Sequence, residues 1–150
     1  MEFMELPIEM REAFLVILNN HLEVAQVNLE NDKTLFPLLA FLNKNLTTQQ
    51  VIPLQPPMAP PISPDMALNA AVQILTNSYF EKAIFSCSTM IREGDSEMME
   101  AVKTVLFDGS GVGVTFYTPY RFKGLFTKRV VYSQNIIDSV NPHMIQRNGR

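Results

Sequence analysis

The stretch MMEAVKTVLFDGSGVGVTFY, Met98–Tyr117, decides how the chain is read. Met98–Phe107 and Val112–Tyr117 are apolar, strand-like runs, and Asp108-Gly109-Ser110-Gly111 stands between them. Asp-Gly tolerates the positive φ that tight hairpin turns demand, so the spacing predicts an antiparallel hairpin around Asp108-Gly109. The glycines from Gly109 to Gly113 also suggest a phosphate cradle. That fingerprint needs G-x-G-x-x-G and a following helix. Position 114 is valine, the continuation is strand-like and the P-loop lysine is missing, so a turn is the reading.

Upstream, Ala83, Phe85, Cys87, Thr89 and Ile91 share one face of a predicted strand over Lys82–Arg92. Glu93–Glu97 is an acidic turn around Gly94. Ser63-Pro64-Asp65 is a helix start, with a capping serine, a first-turn proline and an acid at the positive end of the dipole. Leu68, Ala71, Val72, Leu75 and Tyr79 continue it as a stripe to about Phe80. Six prolines make Val51–Pro64 an extended crossing. Pro57, Pro60 and Pro61 match the P-x-x-P ligand pattern, but a stiff surface connector explains them as well.

Near the start, Pro7–Leu22 reads as a helix with Glu9 and Glu12 in its first turns and Phe14, Leu15, Leu18 and Leu22 on a buried stripe. Asn19-Asn20 weakens it before His21. Ala25, Val27 and Leu29 then alternate with polar residues, which predicts a strand over Glu23–Glu30. Asn31-Asp32-Lys33 is a turn. Thr34–Leu42 is a second strand, confined by Pro37 to an edge or a bulge, or else Leu38–Asn45 is a helix; residues 34–45 fit both. Beyond the hairpin, Thr118–Thr127 reads as a loop, Lys128–Ser133 as a last strand with Val130 and Tyr132 on one side, and Asn141–Arg150 as a frayed tail.

These elements predict an α+β fold: a mostly antiparallel sheet of four to six strands, with two main helices packed on one face. Residues 1–150 are expected to form a single domain, with the proline-rich crossing at 51–64 and the frayed tail at 141–150. The chain is 47% hydrophobic and 18% charged, which excludes a disordered polyelectrolyte. No apolar run approaches the ~20 residues that span a bilayer. The first residues, Met1-Glu2-Phe3-Met4-Glu5, are acidic where an export signal is basic, and Cys87 is the only cysteine. The expected location is therefore cytoplasmic, with no membrane partner.

His21, His143 and one cysteine are too few for the usual zinc sets, and no metal or cofactor is expected. A Cys87–His21 nucleophile–base pair exists on paper. Cys87 lies on the inward face of its strand, where cysteine is usually an inert small hydrophobe, so no catalytic residue is assigned. Glu93, Asp95, Glu97 and Glu100 lack the calcium-loop spacing and read as a solvated turn. Most of the nine methionines read as core filling.

The formal charge of −3 is uneven. Residues 1–108 hold 14 acids and 6 bases, a net −8, while residues 109–150 hold 1 acid and 6 bases, a net +5. Tyr117–Arg129, YTPYRFKGLFTKR, concentrates this asymmetry. Arg121, Lys123, Lys128 and Arg129 are interleaved with Tyr117, Tyr120, Phe122 and Phe126, and no acid intervenes. Arginine and aromatic residues are the usual hot spots of protein interfaces. The same mix holds phosphates and stacks bases, although an acidic chain argues against nucleic acid. A hairpin with aromatics inward and cations in water is the plain alternative. The expectation is a non-enzymatic protein-interaction domain, self-associating into a homo-oligomer, with these eight residues as its surface. The alternatives are a small-molecule-binding domain or enzyme with a pocket between helix and sheet, and weak single-stranded nucleic-acid binding through 117–129.

Overall fold

Seven strands form one antiparallel sheet in the computed structural model, which describes residues 1–55, 60–92 and 94–146. A short 3-10 turn (Phe3–Glu5) leads into helix α1 (Ile8–Asp32). Strands β1 (Leu38–Leu42) and β2 (Thr48–Pro53) follow, then helix α2 (Pro64–Thr76) and strand β3 (Lys82–Ile91). The chain ends with β4 (Met99–Asp108), β5 (Gly113–Lys123), β6 (Arg129–Tyr132) and β7 (Ile136–Asn141). The sheet order is β2-β1-β3-β4-β5-β6, with β7 also paired to β5. The α+β class is therefore as the sequence predicts. Among the described residues no helix is long and apolar enough to cross a membrane.

The predicted hairpin is present, with Phe107 opposite Gly113 and Ala101 opposite Pro119. Asp108 holds its turn by accepting hydrogen bonds from the Ser110 backbone N–H (3.0 Å) and hydroxyl (2.6 Å). Gly111 has a φ of 109°, open to glycine and rarely to other residues. Ser63 caps α2 by accepting from Met66 N–H at 3.1 Å, with Pro64 at the first helical position.

The two helices lie on opposite faces of the sheet, not on one. Neighbouring residues of a strand point to opposite sides, and both sides of this sheet are apolar. Ala40, Ile84, Val102, Leu106 and Phe116 pack with Phe14, Leu18, Leu22, Ala25 and Leu29 of α1. Leu39, Phe85, Cys87, Val105 and Phe107 pack with Ala67, Ala71 and Leu75 of α2. A strand buried on both faces loses its polar alternation, so its sequence does not say where a second layer sits.

Several boundaries differ from the sequence reading. The predicted strand Glu23–Glu30 is the second half of α1, which ends only where Lys33 adopts φ 66° and its N–H meets Leu29 O at 2.8 Å. Ala25 and Leu29 are buried while Val27 is 57% exposed, as a helical period requires. Of the two readings for 34–45, the strand is formed; Pro37 lies just before it, and β1 is an interior strand. Tyr79 is 98% exposed and leaves the α2 stripe at Leu75. Thr118–Lys123 continues β5 instead of looping out. The expected frayed tail includes Ile145, which is buried and donates its N–H to Gly111 O at 3.0 Å. Residues 147–150 lie outside the described residues, as do Pro57 of the P-x-x-P match and Glu93 of the acidic turn.

Candidate functional site

The stretch Tyr117–Arg129 forms the end of β5, a projecting turn and the start of β6, and the structure divides its residues into three groups. Tyr120 and Phe122 point toward α1. Tyr120 is buried, its hydroxyl 3.3 Å from Ser88 Oγ, and its ring meets that of Phe122 edge-on at 5.8 Å. Burial pushes the Tyr120 phenol above its ordinary pKa. Lys33 Nζ lies 5.5 Å from the Phe122 ring centroid. Tyr117 turns to the other face, where the mostly buried Lys103 reaches across its ring toward Asp65, 3.8 Å away. These three aromatics are structural.

Arg121, Lys123, Lys128 and Arg129 are exposed, and among the described residues none of them forms an ion pair. Lys123 stands directly opposite Arg129 across the hairpin. Like charges facing each other across a strand pair oppose folding; Arg129 is also drawn to the Glu30 carboxylate, whereas Lys123 forms no ion pair among the described residues. Arg121 lies two residues from Lys123 and thus on the same face. Beyond them the turn lifts two large apolar side chains into water: Leu125 is 90% exposed and Phe126 99%. Gly124 permits the turn, with a φ of 115° and Thr127 O against the position a Cβ would take. Leu125 was missed by the sequence reading, which counted only charges and aromatics.

The opposite end of the molecule has the complementary character. Glu2, Glu5, Glu9 and Glu12 are exposed there, together with Met1, Met4 and Ile8. The 3-10 turn is anchored by Phe3, whose ring meets Phe116 edge-on at 6.0 Å. Between that turn and β7 runs a groove of about 290 Å³, lined by Met1, Met4, Ile137 and Val140 and edged by Glu2 and Asp138. Phe116 and Lys123 are seven residues apart on one strand, roughly 23 Å at ~3.3 Å per residue. The hairpin tip cannot fold back into this groove.

A second feature lies beneath α1. A cleft of about 150 Å³ opens between the helix and the β1–β2 edge, with an apolar lining that includes Ile17, Leu38, Ala40, Leu42 and Ile84. His21 also lines it, and its Nε2 is buried without a hydrogen-bond partner among the described residues. Burial lowers its pKa from 6.5 to about 4, so the ring is neutral near pH 7. His21 is not at a helix end, as expected from the sequence, but in mid-helix, one turn after Ile17.

The sheet separates His21, on the α1 side, from Cys87, on the α2 side. They cannot act as a nucleophile–base pair. Cys87 is 1% exposed, and burial pushes its thiol pKa up to about 11. Among the described residues no three His, Cys, Asp or Glu side chains converge to hold a metal ion. No protein-family model, no curated protein and no solved structure matches the chain, which leaves the hairpin and the two recesses as the grounds for its function.

Proposed function

We propose that this protein is a non-enzymatic interaction domain that self-associates head to tail. The hairpin tip of one copy, Leu125 and Phe126, enters the groove between the 3-10 turn and β7 of the next. Arg121, Lys123 and Arg129 then face Glu2, Glu5 and Asp138. The observation that carries this reading is the hairpin itself: two adjacent apolar side chains almost wholly in water, framed by exposed cations that oppose each other and form no ion pair among the described residues. Adjacent large apolar side chains framed by cations fit the apolar core and polar rim of an interface. Such a contact joins different surfaces, so it generates rings or open chains and not an isologous dimer. A cytoplasmic setting belongs to the same proposal and rests on a single, buried thiol.

Sedimentation velocity over a concentration and salt series tests it. The parent is expected to associate at low salt and to dissociate as salt screens the exposed charges. Replacing Arg121, Lys123, Lys128 and Arg129 with Ser, or Leu125 and Phe126 with Ser, abolishes association while Tm stays nearly unchanged. The reversals Lys123→Glu/Arg129→Glu and Glu2→Lys/Asp138→Lys each abolish it, and mixing the two proteins restores assemblies in which the two variants alternate. A parent that stays monomeric at high concentration and low salt refutes the proposal.

A further inference from the structure

We propose that the cleft beneath α1 binds a small, uncharged, mostly apolar molecule of single-ring size through a hydroxyl held by His21 Nε2. The inference is independent of self-association and concerns another part of the surface. Its first support is size. A cavity near 150 Å³ is enough for one aromatic ring, and an apolar cavity of that volume takes up such a ligand readily. The second is polarity. The walls are aliphatic, His21 is the only ionisable residue among those lining the cleft, and Asn20 and Thr48 are exposed. A charged ligand would lose its hydration there with no counter-charge to meet it.

The third support is the imidazole. A buried polar atom without a partner is costly and uncommon in folded proteins. His21 lines the cleft but its Nε2 is closed to water in this conformation, so a hydroxyl in the cleft meets it through a small turn of the imidazole. A neutral imidazole nitrogen either donates or accepts according to its tautomer. A hydroxyl serves both cases, since it donates and accepts; a carbonyl or an ether serves only one. The fourth is backbone strain. Leu46, another lining residue, holds φ 62°, an uncommon conformation for a bulky side chain, and strain of this kind gathers at ligand sites. Val24 and Val51 are 60% and 53% exposed and form a mouth on the side of the edge strand β2.

Phenol and toluene, which differ by a hydroxyl in place of a methyl, are the probes. Each is titrated into the 15N-labelled protein, below concentrations that unfold it. Both are expected to give saturable shifts confined to amides around the cleft, such as Ile17, Leu42 and Ile84. Phenol should bind about three- to tenfold more tightly than toluene, the worth of one net hydrogen bond. In His21→Leu that preference disappears or inverts. Ala40→Ile fills the cleft floor and retains His21, and it should abolish the binding of both probes, which covers the case that His21→Leu fails to fold. Absence of saturable shifts at the cleft in the parent, equal or weaker binding of phenol there, or an unchanged preference in His21→Leu would overturn the proposal.

Discussion

His21→Leu should remove a block of acid sensitivity from the folding equilibrium. In the unfolded chain the imidazole takes up a proton below about 6.5; in the folded protein burial delays this to about 4. Within that window the unfolded state holds more protons. Stability is therefore full above pH 6.5 and falls as the pH falls toward 4. At about 1.4 kcal/mol per pH unit, the parent loses about 2.5 kcal/mol from this group between pH 7 and pH 4.5. For a chain of this size that is a drop in Tm of about 5–10 °C. His21 is the only ionisable residue among those lining the cleft, so no other side chain there shares the effect. Urea unfolding of parent and His21→Leu at pH 7.0, 5.5 and 4.5 reads the difference directly. Carboxylates such as Asp108, held low by hydrogen bonds from Lys82 and Ser110, titrate in both proteins and cancel. Parallel stability curves for the two proteins would mean that folded His21 accepts a proton normally, and the dry, partnerless imidazole would be refuted.

Three further outcomes follow from the packing. Cys87 should resist thiol reagents in the native state, with labelling limited by opening of the sheet, and Cys87→Ala should cost about 1 kcal/mol in urea unfolding. Thr104 Oγ1 is buried with no partner among the described residues, so Thr104→Val, nearly equal in shape, should raise stability by up to about 1 kcal/mol; a loss would reveal a hidden partner. Ser63→Ala removes the α2 cap and should lower stability by about 1 kcal/mol, measured by thermal unfolding.

The central hairpin was legible because turn chemistry and strand pattern agreed at Asp108-Gly109. Helix α1 was not fully legible past Leu22. Ala25 and Leu29 are four residues apart, a spacing that suits both a strand face and a helix stripe, and Asn19-Asn20 suggested a stop. Those asparagines are exposed, where their weak helix preference is outweighed by burial of the opposite side. With the helix cut short, His21 reads as a helix end and the cleft beneath it stays hidden. Thr118–Thr127 reads as a loop, yet Pro119 lies within β5. Its carbonyl accepts from Ser133 N–H at 2.8 Å, so its nitrogen faces the same side, where β5 changes partner from β7 to β6. The proline forgoes only the return bond to Ser133, at the end of the β6 ladder. Strand β7 is largely exposed, and its sequence carries little alternation. The cationic stretch was legible as composition, but its division into buried aromatics and a bare apolar tip required the fold.

Helix α1 is fastened by residues made long after it. Val130 N–H donates to Glu30 Oε2 at 2.8 Å, Gln26 Nε2 to Val130 O at 3.3 Å, and Tyr132 hydroxyl to Leu22 O at 2.7 Å. These partners are about 100 residues apart in the chain. At ~5–20 residues per second, a ribosome needs roughly 5–20 s to go from Glu30 to Val130. For that interval the apolar face of α1 has emerged with only part of its sheet to cover it. Helix α1, synthesised before the strands that cover it, is thus among the last of these elements to be secured, and nascent-chain helpers that shield apolar helices would have their longest opportunity there.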